Sequence, residues 1–180
     1  MSTTRLVLLG LLRRNPLHGY ELKHIIEEHM GDWTSIAFGS IYFALGKLDE
    51  EGMVEKVADE QHGNRPSRRI YQITDAGREE FLHLLRNTWT SSEREYYALD
   101  VGIAFMDALP IEEVKGFLEG RITALEETLV YLNAHEKEQM SRDDVPASAR
   151  MVFSHSLVHM EAELTWLRGL LQEVEGGNIP

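Results

Sequence analysis

The sequence predicts a mainly α-helical protein with one small β element. Three short helices and a two-stranded hairpin come first, and a pair of long helices follows. Three observations carry that expectation. Apolar residues recur every three or four positions along most of the 180 residues, which is helical spacing. One stretch, residues 53–74, is instead rich in β-branched and aromatic residues around a polar, Gly/Pro-containing centre. Beyond residue 110 the apolar spacing becomes a regular 4-3 alternation, the pattern of a coiled-coil seam.

Residues 4–14, "TRLVLLGLLRR", are a dense apolar helix that Asn15-Pro16 breaks. A second helix runs from His18 to Met30, with Leu22, Ile25, Ile26 and Met30 on one stripe. In the third, "GSIYFALGKLDEEG" (residues 39–52), Ser40 can cap the start and Gly52 can end it. Ile41, Leu45 and Leu48 form its apolar face, and Ser40, Tyr42, Phe43 and Lys47 lie opposite. Met53–Val57 and Arg69–Ile73 read as two strands joined by a long polar tip. Thr74 caps a helix through Trp89, on which Phe81, Leu85 and Trp89 recur every four residues. That helix is expected to run on continuously into the second half.

Residues 95–108 are a shorter apolar segment, after which Pro110 suits the first turn of the next helix. In residues 111–137 the seam is Leu118, Ile122, Leu125, Leu129 and Leu132. In residues 148–175 it is Phe153, Leu157, Met160, Leu164, Leu167, Leu171 and Val174. The turn "SRDDVPAS" would fold the two helices into an antiparallel hairpin. Part of the seam is expected to close within the hairpin and the rest on a second subunit. Residues 1–90 and 91–180 are therefore expected to form two domains, the second serving dimerisation.

Composition narrows the function classes. The chain has no cysteine, which excludes a disulfide framework, a thiol nucleophile and Cys-ligated zinc. Its longest apolar run, residues 6–12, is far too short to span a bilayer. Arg13-Arg14 follows that run without a small-residue cleavage site, so a cytoplasmic protein is expected. The net charge is −12, but it is unevenly placed. Residues 1–90 carry 11 Lys/Arg against 13 Asp/Glu, a net of −2, whereas residues 91–180 carry 7 against 17, a net of −10. An acidic total therefore leaves room for a local phosphate-binding surface in the first half. No phosphate-cradling glycine loop, Gly-x-Ser-x-Gly elbow or acid/base pair is present, so no enzyme activity and no cofactor are expected. His155 and His159, with Glu163 one turn on, have metal-ligand spacing but lack further ligands. They are expected to flank the seam, and no metal is expected.

Three helices followed by a two-stranded hairpin form a winged helix-turn-helix. In such a module the third helix is anchored on one face and enters the DNA major groove with the other. Ser40 lies near free backbone N–H groups that favour a phosphate, and Tyr42 and Lys47 can donate to phosphates or base edges. Lys23 on the second helix joins this set. The hairpin tip "GNRPSRR" would be the wing, its Arg65, Arg68 and Arg69 free of nearby acids and able to reach a minor groove or backbone. The plainer alternatives are that Tyr42 packs at the rim of the core and that the arginines form an ordinary solvated tip. A winged helix can also dock protein instead of nucleic acid.

At these residues the chain resembles the PadR family of bacterial transcriptional regulators. The resemblance is carried by "HGYEL" at 18–22, "GSIYFALGKLDEEGMVEK" at 39–56, "RRIYQITDAGREEF" at 68–81, "WT" at 89–90 and "EAELTWL" at 161–167. It covers nearly the whole chain and looks like the subfamily with the longer, two-helix C-terminal dimerisation domain. The resemblance implies a homodimer that binds an inverted-repeat operator in double-stranded DNA, usually as a repressor, and in some members is released by a small aromatic or lipophilic effector. By motif position it implies that Tyr20, Ser40, Tyr42 and Lys47 face DNA and that Arg65, Arg68 and Arg69 serve the wing. The family often has proline where this chain has Phe43, which either softens the helix start or meets a thymine methyl. Trp89, Phe105, Met106 and Trp166, with Phe153 and Met160, are candidates for an effector pocket, and equally for a dimer core.

Overall fold

The computed structural model describes residues 3–60, 68–142 and 145–177, without the side chains of 58–60 and 68. The chain divides into two compact units, residues 1–93 and 94–180.

The first unit contains α1 (Thr3–Leu12), β1 (Leu17–His18), α2 (Gly19–His29), α3 (Phe38–Glu50), β2 (Val54–Glu60), β3 (Arg68–Ile73) and α4 (Asp75–Thr90). Its core is built from the stripes that the spacing marks. Leu8, Leu9 and Leu12 of α1, Leu22 and Ile26 of α2, and Ile41, Leu45 and Leu48 of α3 are buried together with Val54, Tyr71, Ile73 and Leu84. The sheet has three strands in the order β1-β3-β2, all antiparallel, rather than the two expected. The added strand is only two residues long, Leu17 opposite Tyr71 and His18 opposite Ile70, too short to leave a periodic signal.

His18 also starts α2. Its Nδ1 accepts from the Glu21 N–H at 3.0 Å, and Glu21 Oε2 accepts from the His18 N–H at 2.8 Å, a reciprocal capping box. His18→Ala is expected to cost about 1–2 kcal/mol of stability, as removing a helix cap does, and His18→Asn to recover most of it. Thermal or denaturant unfolding of the three proteins checks this.

Two other starts differ from expectation. The residue before α3 is Ala37, with no side-chain cap, so Ser40 sits in the first turn and is not its cap. Pro110 immediately precedes its helix instead of lying inside it. The expected ends hold at Gly52, where φ is +72°, and at Thr74, whose Oγ1 accepts from the Gly77 N–H at 3.1 Å. Arg5 on α1 reaches Glu51 beyond α3 and Glu80 on α4, tying three elements together. The helix through Trp89 stops at Thr90, and residues 91–97 are not helical, so it does not continue into the second half.

The second unit contains α5 (Ala98–Ala104), a short 3-10 turn (Met106–Ala108), α6 (Ile111–Met140) and α7 (Ala147–Glu175). α6 and α7 form the expected hairpin. Val114, Leu118, Ile122, Leu164, Leu167 and Val174 are its core, with Leu125, Leu129 and Leu171 packed against them. Ion pairs Arg121–Glu163 and Arg168–Glu126 bridge the two helices at 2.6 Å each.

Candidate nucleic-acid interface

α3 is held by Ile41, Leu45 and Leu48, each at most 1% exposed. The opposite side is open: Ser40, Tyr42, Phe43 and Lys47 are all exposed. The Ser40 N–H is used by the Ala37 carbonyl at 2.9 Å. No side chain caps this start, and a helix N-terminus favours an anion. Lys47 Nζ lies 3.4 Å from Glu50 Oε2, an exposed pair of little strength that leaves the ammonium accessible.

Tyr42 is positioned by its neighbours. Its ring meets Phe38 edge-on at 4.9 Å, and Lys23 Nζ lies 4.9 Å over the Phe38 ring while also pairing with Glu27. On its other side the tyrosine rests on Gly19, where a Cβ would come within 2.6 Å of Tyr42 Cε1. α2 and α3 thus clamp an aromatic hydroxyl that is still 45% exposed. Sequence reading identified Tyr42 and Lys23 but missed Phe38 and Gly19. The "HG" pair that begins α2 was the available signal for Gly19, but nothing local connects it to a residue 23 positions later. Tyr20 is exposed on the first turn of α2, its ring 6.3 Å from that of His18. A cleft of about 510 Å³ lies beside α3, lined by Thr4 and Arg5 of α1 and by Gly39, Ser40, Phe43 and Lys47.

In the hairpin, Arg68 begins β3 opposite Glu60, and Arg69, which is exposed, lies opposite Asp59. The expectation that Arg68 and Arg69 have no acid nearby is therefore corrected: the register sets Glu60 and Asp59 across the ladder from them. A bulge between Lys56 and Ala58 determines that register. Arg65 and the side chain of Arg68 lie outside the described residues.

In the second unit, the residues expected to dimerise are largely enclosed already. Leu118, Ile122, Leu164, Leu167 and Phe153 are buried within a single chain, and Leu125, Leu129, Leu157, Met160 and Leu171 are partly buried. The apolar side chains left exposed on α6 and α7 are a different set: Ile111, Phe117, Val130, Tyr131, Met151, Val158 and Trp166. Among the effector-pocket candidates, Trp89 belongs to the first unit and is exposed. In the second unit Phe105 is exposed, Met106 packs on the hairpin core and Trp166 is half exposed. A cleft on α7 is lined by other residues, including His155 and His159, whose rings are 4.4 Å apart. Glu163 is held by Arg121, and no group of three potential metal ligands occurs among the described residues.

A helix-turn-helix with one open helix face, followed by a β hairpin, defines the class: a winged-helix transcriptional regulator with a helical second unit. Residues 8–83 match the Transcriptional regulator PadR-like family, so this stretch carries a domain of that kind. It is 23% identical over 181 residues to the Negative transcriptional regulator PadR of Bacillus subtilis (strain 168), covering 97% of this chain and 99% of that protein. Its fold is similar to that of Bacillus subtilis PadR solved in complex with operator DNA, with a TM-score of 0.81, 22% identity and coverage of 97% and 98%. It is also similar to the same protein in complex with p-coumaric acid, with a TM-score of 0.78, 21% identity and coverage of 95% and 98%. Among the described residues no helix is long and apolar enough to cross a membrane.

Proposed function

We propose that the chain is a homodimeric, DNA-binding repressor that acts in the cytoplasm without enzymatic activity and is released from its operator by a small aromatic acid. The observation that carries this reading is the open face of α3. Ser40, Tyr42, Phe43 and Lys47 project from a helix whose opposite side is buried through Ile41, Leu45 and Leu48. Tyr20 and Lys23 extend this contact surface, and Arg65, Arg68 and Arg69 would serve the wing. The shared fold with a negative regulator seen with operator DNA supports the DNA and repression parts, and its complex with p-coumaric acid supports the effector class. The exposed apolar side chains of α6 and α7 support a second subunit docked there, around the buried seam of Leu118, Ile122, Leu164 and Leu167.

The test is a mobility shift of the purified protein on DNA upstream of its own gene, across a salt series. Binding is expected to weaken steeply with salt, because phosphate contacts release counterions. Arg68→Ala is expected to weaken binding uniformly across sequences and to make the log–log salt slope shallower by about 1. An unchanged slope removes Arg68 from the phosphate contacts. No salt-dependent binding to any DNA would turn the α3 face into a protein-docking surface.

A further inference from the structure

The side of α3 farthest from the core carries Gly39, Phe43, Lys47 and Glu50, all exposed, with the partly buried Gly46 between them, opposite Ile41, Leu45 and Leu48. At the centre of this face Phe43 is the apolar side chain, with a glycine on either side of it along the helix. It is 71% exposed and stacks on no ring among the described residues. Among the described residues, no contact requires a glycine at either position beside it. A Cβ at either position would meet nothing within 4 Å, and neither has a positive φ that calls for glycine. Glycine is also among the poorest helix formers, so Gly46 weakens the helix that the whole module presents. Space kept clear on an outward helix face, at a cost to the helix, suits close approach of the backbone to something outside the chain.

We infer that Phe43 reads the C5-methyl group of a thymine in the major groove, and that Gly39 and Gly46 let α3 sit deep enough for this contact. The inference rests on the DNA-binding reading above and extends it to a specificity-determining residue. The chemistry is selective. A phenyl ring offers no hydrogen bond, and the thymine methyl is the one apolar group on a base edge of the major groove. Ser40 and Tyr42 and Lys47 on the flanks supply polar contacts that position the helix, whereas Phe43 at the centre reports whether a methyl is present. A base lacking that methyl would leave the ring facing polar base edges.

The experiment starts from the sequence that the full-length protein selects from a randomised double-stranded DNA pool. Each thymine of that site is then replaced in turn by deoxyuridine, which removes the methyl and keeps the pairing. For the wild type, one position in each half-site is expected to lose about fourfold in affinity, the value of one buried methyl group. Phe43→Ala, at an exposed position, is expected to bind more weakly and to show no loss at that position. Gly46→Leu is expected to keep or raise the melting temperature while binding about tenfold or more weakly. Affinity that ignores every methyl, or a methyl dependence that survives in Phe43→Ala, would overturn the inference and leave the DNA-binding reading intact. Wild-type affinity in Gly46→Leu would overturn the close approach. Failure to select any DNA would overturn both readings together.

Discussion

Gly77→Ala is expected to remove about 3 kcal/mol or more from the stability of the first unit, enough to unfold much of it at growth temperature. Gly77 is buried in the first turn of α4. A Cβ there would penetrate the Met53 carbonyl oxygen and lie 2.8 Å from Ile73 Cγ1. No rotamer change relieves a clash with backbone, and this backbone is held firmly. The Met53 N–H is bound to the Leu48 carbonyl, the Met53 carbonyl accepts from the Thr74 N–H at 3.1 Å, and Thr74 Oγ1 lies 2.8 Å from the Gly52 carbonyl. Moving any one of these groups disturbs the end of α3, the start of β2 and the cap of α4 together. Gly10→Ala is the matched control, since its Cβ would meet only the edge of the Phe81 ring at 3.1 Å, which can yield. Thermal unfolding monitored through each unit separately should show the first transition lowered strongly by Gly77→Ala and slightly by Gly10→Ala. A Gly77→Ala protein that melted like the wild type would mean that the turn at 52–53 is not fixed against α4.

The second large effect concerns affinity. Tyr42→Ala is expected to weaken operator binding by about 10- to 100-fold, the range for losing one or more well-placed contacts. The substitution removes a hydroxyl and also the ring that packs against Phe38 and Gly19, so two companion variants divide the loss. Tyr42→Phe keeps the packing and tests the hydroxyl alone. Gly19→Ala keeps the hydroxyl but pushes its ring aside, and is expected to bind more weakly with a nearly unchanged melting temperature. If Gly19→Ala bound like the wild type, the glycine seat would not be what orients Tyr42.

Much of this was legible in the sequence because local periodicity reflects burial. Ile41, Leu45 and Leu48 recur at helical intervals, so both the buried face of α3 and its open face could be assigned before any contact was known. The misses share a different cause. The Gly19–Tyr42 contact joins residues 23 apart, and neither neighbourhood hints at the other. β1 is two residues long, and one of them serves equally as a helix cap. The acid opposite Arg69 follows from a bulge that displaces the ladder by one residue, and no composition rule locates a bulge. The 4-3 seam of α6 and α7 and the turn between them announced the hairpin, but not how much of the seam it would close; the intrachain pair closes most of it.

That closed seam has a consequence for how an assembly would be made. The two halves of the second core lie about forty residues apart, as the bridges Arg121–Glu163 and Glu126–Arg168 record. A newly made chain can therefore complete this core by itself, through a local closure, before it meets another copy. Pairing would then be the docking of finished surfaces, with a bimolecular rate that follows concentration, rather than folding that waits for a mate. In a cell holding several related regulators, the choice of mate would fall to outer residues such as Val130, Tyr131, Met151 and Val158. These can diverge freely while the leucines beneath them stay fixed.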